Sequence, residues 1–136
     1  MKDRIHFQLT TAGGMVCDAM ASYVNTPVEN GDIGILADHA PMIASLREGV
    51  IKYVTDGREN FAAVSGGILS VAGNELIILA RSAELAENID LARAQAAEAR
   101  ARERIASHSA EWDMKRAETS LHRALARQKA YKLMNR

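Results

Sequence analysis

The sequence predicts an α+β protein, in which an N-terminal antiparallel β-sandwich precedes a C-terminal two-helix hairpin. All nine glycines and both prolines lie between residues 13 and 73. Up to residue 80, short apolar runs alternate with turn residues at near-regular spacing, as in antiparallel sandwiches and barrels. The chain then becomes rich in alanine and arginine, which favour helices. We place a sandwich domain at residues 1–85 and a helical domain at residues 86–136.

The first strands are predicted from a period of two. Residues 4–10 place Ile5, Phe7 and Leu9 on one side, which indicates a half-buried strand. A turn at residues 11–14 leads into a second extended run over residues 15–24. Pro27 and the Asn30-Gly31-Asp32 segment mark a loop, and further strands are predicted over residues 33–36 and 42–46, separated by a turn at 37–41.

The remaining strands are bounded by glycine. Asp56-Gly57 is a strong hairpin signal between strands predicted over residues 50–55 and 60–64. Gly66-Gly67 predicts a turn or bulge before a strand over residues 68–71. Gly73-Asn74 precedes the last predicted strand, residues 75–80. Eight or so short strands follow from these signals.

Two amphipathic helices are predicted after residue 89. The first covers residues 90–106, and Ser107-His108-Ser109 breaks it. Ser109 offers a cap for a second helix that runs to about Lys132. The first helix places Leu91, Ala94, Ala97 or Glu98, Ala101 and Ile105 on one stripe, and the second places Met114, Ala117, Leu121, Ala124, Leu125 and Gln128.

These stripes contain few large apolar residues. Burying a leucine or isoleucine contributes about 1.5–3 kcal/mol, and an alanine contributes far less. We therefore expect an antiparallel hairpin that is only marginally stable alone and docks on the sandwich, on a partner or on a ligand.

Charge divides the chain as composition does. Residues 1–80 hold 5 basic and 9 acidic residues, and residues 81–136 hold 12 and 8, so the halves carry −4 and +4. A basic half is compatible with contact with anions or an acidic partner, but on charge alone a solvated mixed-charge helical face is the favoured interpretation. Neutral overall charge and few aromatic residues argue against nucleic acid.

The remaining composition points to a reducing compartment. Cys17 is the single cysteine, so it has no intramolecular disulfide partner. No apolar run approaches the roughly 18 residues of a membrane span. We expect a protein of the cytoplasmic side that is at most peripheral to a membrane.

A catalytic site is not predicted. Asp38 precedes His39, but adjacent turn residues rarely form triad geometry, and no nucleophile motif accompanies them. A structural turn histidine is the favoured interpretation over a hydrolase. His6, His108 and His122 lack ligand spacing, so no metal site is predicted.

Arginines on the two predicted helices could form an anion site. Asp90 and Arg93 share a helical face, and Arg100 lies two turns beyond Arg93. Arg116, Arg123 and Arg127 share a face of the second helix. In an antiparallel hairpin these guanidinium groups could converge and bind phosphate. Glu84 or Asp90 could accept a hydrogen bond from a base or a ribose. From spacing alone, a solvated pair of helices with salt bridges remains the simpler interpretation.

Five segments in a fixed order resemble a known family. The sequence is similar to the epsilon subunit of F-type ATP synthases over essentially its whole length. The segments are GDIGIL (31–36), HAP (39–41), LREGVI (46–51), FAAVSGGIL (61–69) and NELIILA (74–80). Asp38 departs from the family, where Gly or Asn commonly precedes the histidine, and Ser70 stands where an acid is common. The resemblance implies a ten-stranded sandwich followed by a helical hairpin.

The resemblance also implies a role. It implies a non-catalytic central-stalk, or rotor, subunit that needs no cofactor and lies peripherally on the cytoplasmic face of the cell membrane. The sandwich would bind the gamma subunit and the c-ring and so couple rotation to proton or sodium transport. The hairpin would either fold onto the sandwich or extend along gamma, meet a catalytic beta subunit and inhibit ATP hydrolysis.

Some bacterial members bind ATP as a regulatory ligand through the motif Ile/Leu-Asp-x-x-Arg-Ala, which residues 89–94 match as IDLARA. An alternative within the same resemblance is a purely structural stalk coupler that binds no nucleotide. The implied ATP-binding residues are Glu84, Ile89, Asp90, Arg93, Ala94, Arg100, Arg123 and Arg127.

Overall fold

The computed structural model describes residues 3–107 and 111–136, with side chains in the second range from Asp113 onward. Eight strands precede a short 3₁₀ turn and two helices, which confirms the predicted fold class. The strands are β1 (Ile5–Thr11), β2 (Gly14–Ala21), β3 (Tyr23–Val28), β4 (Gly31–Ile35), β5 (Met42–Leu46), β6 (Gly49–Thr55), β7 (Arg58–Ala72) and β8 (Glu75–Leu85). The 3₁₀ turn is Ala86–Asn88, and the helices are α1 (Leu91–Ala106) and α2 (Glu111–Met134).

The strands form two packed layers joined by shared strands. Their order is β2-β1-β8-β7-β5-β3-β4, and β6 lies beside β3 and β7. Within the described residues the β1–β8 pair is parallel and the other pairs are antiparallel. The predicted alternation in β1 is confirmed, because Ile5, Phe7 and Leu9 are fully buried. The Phe7 ring meets that of Tyr53 at 5.1 Å between centroids.

Two long strands pass through both layers. Residues 58–64 of β7 pair with β6, and residues 67–71 pair with β5. β8 follows β7 along both parts. The implied count of ten strands and the predicted turn or bulge at Gly66-Gly67 are therefore wrong, because the chain bends there and continues as one strand.

Glycine makes this bend possible. Gly67 has a φ of +148°, a conformation that residues with a side chain rarely adopt. A Cβ at this position would also collide with the carbonyl oxygen of Leu79 on β8. The two long strands can stay paired through the bend only because no side chain separates them.

Other boundaries differ for local reasons. The predicted run over residues 15–24 is broken at Ser22, between β2 and β3. Pro27 lies within β3, opposite Asp32, and its carbonyl accepts a hydrogen bond from the Arg47 backbone. β8 runs to Leu85, beyond the predicted end at residue 80, because its last residues pair with the first part of β7.

The helices form an antiparallel pair with an alanine seam. Asp90 caps α1, where its Oδ1 accepts the Arg93 backbone N–H at 3.1 Å. Ala94 and Ala101 of α1 and Ala117 and Ala124 of α2 are at most 1% exposed. The predicted break at His108 and cap at Ser109 lie outside the described residues. No helix in the described ranges has the length and apolarity to cross a bilayer.

Gly67→Ala tests the strand bend. We expect the substitution to lower the free energy of unfolding by about 2–4 kcal/mol, because it adds both backbone strain and a clash with β8. Urea denaturation followed by circular dichroism measures the change. Gly13→Ala is the matched control, since a Cβ there would meet only Thr11 Oγ1 at 3.6 Å. Equal stability of the two variants would contradict this account of the bend.

Candidate functional site

The hairpin is docked on the sandwich through α2, which lies on β6, β7 and the 3₁₀ turn. A second, small apolar core fills this contact. The sequence left open whether the hairpin docks on the sandwich, on a partner or on a ligand. In the structure it docks on the sandwich. The stripe prediction missed Ala126 and Ala130, and Leu125 is 38% exposed. The buried members of the small core are Phe61, Ala63, Ala86, Ile89, Ala126 and Ala130.

Among the described residues, three ion pairs join acids of the sandwich to bases of the C-terminal half. Arg127 Nε lies 3.0 Å from Glu84 Oε1, and this pair is the least exposed of the three. His122 Nδ1 lies 3.4 Å from Glu48 Oε1 and pairs as an ion only when protonated. Near the other end of α2, Arg136 Nη2 lies 3.0 Å from Glu59 Oε1. The opposite charges of the two halves thus meet at the docking contact.

Glu59 is held by two cations. Lys52 Nζ lies 3.3 Å from Glu59 Oε2, on the opposite side from Arg136. Hydrogen bonds from Lys52 and then Arg136 hold the pKa of the Glu59 carboxyl below its usual value. Because this carboxylate is exposed, the pair orients the last turn of the chain and adds little stability.

A cleft of about 480 Å³ opens between the hairpin, the first half of β7 and the last residues of β8. It brings together four of the predicted residues: Glu84 from β8, Arg93 from α1, and Arg123 and Arg127 from α2. The cleft therefore has three guanidinium groups and one carboxylate. Its remaining lining residues are Ala63, Val64, Ser82 and Ala83.

Three further predicted residues support the cleft and do not line it. Asp90 caps α1 and so orients the turn that carries Arg93. Ile89 is 6% exposed and belongs to the small core under α2. Ala94 is fully buried in the helix seam. The motif at residues 89–94 thus builds the start of α1, and of these predicted residues only Arg93 reaches the cleft wall.

The arginines do not all converge. Arg100 is exposed and is absent from the cleft lining among the described residues. Arg116, predicted to share a face with Arg123, lines a different groove with Arg104 and Lys115. Arg123 borders both spaces, and its Nη2 donates to Ser120 Oγ at 3.3 Å.

Gln128 is a polar residue of the seam whose role the sequence did not reveal. Its side chain is 8% exposed, and its Nε2 donates to Glu98 Oε1 at 2.8 Å and to the Ala94 carbonyl at 3.5 Å. Arg102 Nε donates to the other oxygen of Glu98 at 2.7 Å. The hydrogen bond from Gln128, followed by that from Arg102, lowers the pKa of Glu98. The sequence signal for this role is the presence of a glutamine in a helical stripe that is otherwise rich in alanine.

The Asp38-His39 turn has a structural explanation. His39 Nδ1 donates to the Ala40 carbonyl at 2.7 Å, and the Asp38 backbone N–H donates to Asn74 Oδ1 at 3.0 Å. Asp38 has a φ of +63°, which favours Gly or Asn and which Asp tolerates. The departure from the family at this position keeps the backbone conformation that the turn needs.

The outward side of β5, β7 and β8 is apolar and exposed. Ile68 and Leu79 are neighbours across the β7–β8 ladder, and Ile77 is separated from Ile43 by Ser70. The exposed fractions are 77% for Ile43, 54% for Ile68, 37% for Ile77 and 55% for Leu79. We call these four residues the apolar face.

Two family models match consecutive parts of the chain. The model described as the beta-sandwich domain of the ATP synthase Delta/Epsilon chain matches residues 4–86. The model described as the long alpha-helix domain of the same chain matches residues 87–132. Together they span the sandwich and both helices.

Two curated relatives that match the chain carry one name between them. The chain is 47% identical over 113 residues to an "ATP synthase epsilon chain" of Symbiobacterium thermophilum, covering 83% of this chain and 81% of the relative. It is 42% identical over 123 residues to the protein of that name from Bacillus velezensis, covering 90% and 93%.

A solved structure has the same fold. A chain of the mitochondrial ATP synthase of Euglena gracilis, in a structure of OSCP, F1 and the c-ring, superposes with a TM-score of 0.81 at 19% identity. The match covers 100% of this chain and 84% of that one.

Proposed function

The chain belongs to the ATP synthase delta/epsilon family, and from that premise we propose that it is a central-stalk subunit of an F-type ATP synthase that reversibly inhibits ATP hydrolysis and senses ATP. In this role it supplies no catalytic group. It couples rotation to proton or sodium transport as a peripheral subunit at the cytoplasmic face of the membrane. The observation that carries the sensing role is the convergence of Arg93, Arg123 and Arg127 around Glu84.

The apolar face is the proposed contact with the gamma subunit. Contiguous large apolar side chains exposed on a sheet mark an interaction surface. Permanent subunit interfaces are more apolar than transient ones, as a rotor joint requires. The apolar face lies away from the docked hairpin, so gamma can remain bound whether the hairpin is folded or extended. The c-ring would contact another part of the same sandwich.

The cleft is the proposed ATP site. Three arginines offer planar forks of donors to a triphosphate, and Glu84 can accept from a base amino group or a ribose hydroxyl. A volume of about 480 Å³ lies within the range of small-molecule sites, which is roughly 300–1,000 Å³. Glu84 also pairs with Arg127 and offsets part of the positive charge.

The site depends on the docked hairpin. β8, α1 and α2 each contribute to the cleft, so separating α2 from the sandwich takes it apart. A ligand shifts an equilibrium only by its different affinities for the two states. Abundant ATP would therefore hold the docked, non-inhibiting form, and falling ATP would release basic helices toward an acidic surface of a catalytic beta subunit.

Calorimetric titration of the intact chain with ATP tests the site. We expect Arg93→Ala and Arg127→Ala each to weaken binding by about tenfold or more, because each removes a charged phosphate donor. Arg100→Ala is the matched control on the same helix and should bind as the native chain does. Absence of binding by the native chain would favour the structural stalk coupler, and equal losses in Arg93→Ala and Arg100→Ala would contradict the cleft geometry.

Ile68→Asp tests the apolar face. A buried carboxylate at the centre of this contact should weaken binding to a gamma-containing complex by at least about tenfold. Surface-immobilised complex and biolayer interferometry measure the affinity. Leu125→Asp places the same charge on α2, away from the face, and should leave gamma binding unchanged. Native affinity in Ile68→Asp would place the gamma contact elsewhere.

Deletion of residues 88–136 tests the inhibitory role. The strands and the apolar face remain, so the shortened chain should still assemble into the complex. Hydrolysis of ATP by the reassembled enzyme should rise, because no helix is left to enter the catalytic head. Assembly is verified by gel filtration. An unchanged rate of ATP hydrolysis by the assembled complex would contradict the inhibitory role.

A further inference from the structure

We infer that Gln128 is a positioning residue that fixes the register of α2 against α1 and thereby aligns the arginines of the cleft. Its effect on ATP rests on the proposed function. The register itself is a property of the hairpin and can be measured without nucleotide.

The seam around Gln128 has little means of fixing a register. Ala94, Ala101, Ala117 and Ala124 bring the helices close together and are almost completely buried. A methyl group makes no directional contact and buries little area. Such a seam holds the helices side by side but opposes sliding only weakly. After a slide along the helix axis, each alanine would meet another alanine and make a similar contact.

Gln128 supplies the directional contact at this level of the hairpin. Gln128 is 8% exposed, and its carboxamide nitrogen donates to both Glu98 and the Ala94 carbonyl. Arg102 holds Glu98 from the other side, so the acceptor is itself fixed in place. A slide of the helices would leave a buried amide without partners, which is costly, and would also remove a hydrogen bond to a charged group.

This contact lies beside the cleft on both helices. Ala94 follows Arg93 in α1, and Gln128 follows Arg127 in α2. Since both arginines line the cleft, the hydrogen bonds of Gln128 set how far apart their backbones lie. A register shift of one turn, about 5.4 Å, would move Arg127 and Arg123 out of line with Arg93.

Reversing the pair separates this role from a general contribution to stability. Gln128→Glu places a second carboxylate against Glu98, and the like charges should drive the helices out of register. Adding Glu98→Gln to this variant restores a hydrogen bond between the two positions. The donor is then at position 98 and the acceptor at position 128. Gln95→Glu makes the same change of side chain at an exposed position of α1 and serves as the control.

Two readouts apply to the full chain. The first is the distance between the helices, measured without nucleotide by pulsed electron paramagnetic resonance. Spin labels are attached at Ala96→Cys and Lys129→Cys in a Cys17→Ser background. ATP titration reports the cleft. We expect Gln128→Glu to shift or broaden the distance distribution and to weaken ATP binding by about tenfold at pH 8.

The double variant decides the question. Recovery of the native distance and of most of the ATP affinity in Glu98→Gln/Gln128→Glu, with Gln95→Glu unchanged, establishes the register role. A native distance distribution in Gln128→Glu, or a double variant no closer to native than the single one, would overturn it. If the native chain binds no ATP, the proposed sensing role fails while the distance measurements still test the register.

Discussion

The contact between α2 and the sandwich governs every other property of the hairpin. It consists of a small core in which Phe61 and Ile89 are the large buried side chains, and of one partly buried ion pair between Glu84 and Arg127. The other buried members are alanines, which contribute little, and Val50, Tyr131 and Leu133 pack against them while remaining partly exposed. Such a contact is specific in geometry and modest in free energy, so a ligand or a partner with moderate affinity can shift it.

The cleft depends on this docking contact of modest free energy. Its walls come from β7, β8, α1 and α2, so the cleft exists only while both the hairpin seam and the docking contact are intact. Glu84 takes part in the docking contact and also lines the cleft, and Arg127 does the same. Docking and the proposed ATP binding would therefore use the same two side chains, which would couple them without any additional element.

Residue pattern alone predicted the fold class, the buried side of β1 and most of α1, because period and glycine placement are local signals. It could not predict that β7 continues through Gly66-Gly67, since the bend depends on the approach of Leu79 from another strand. Helical spacing and the resemblance both indicated the arginines of the cleft, but both also included Arg100, which lies outside. Gln128 was counted as one member of a stripe, and its contacts with Glu98 and Ala94 required the pairing of two helices.

The passage of β7 and β8 through both layers has a mechanical consequence. Ile68 on β7 belongs to the apolar face, and Glu84 on β8 belongs to the cleft, yet both lie on one continuous two-stranded ladder. If gamma binds the apolar face as proposed, torque applied there would pass along this ladder through backbone hydrogen bonds and covalent bonds. The docking surface of the hairpin is therefore joined to the proposed gamma contact by the pairing of two continuous strands.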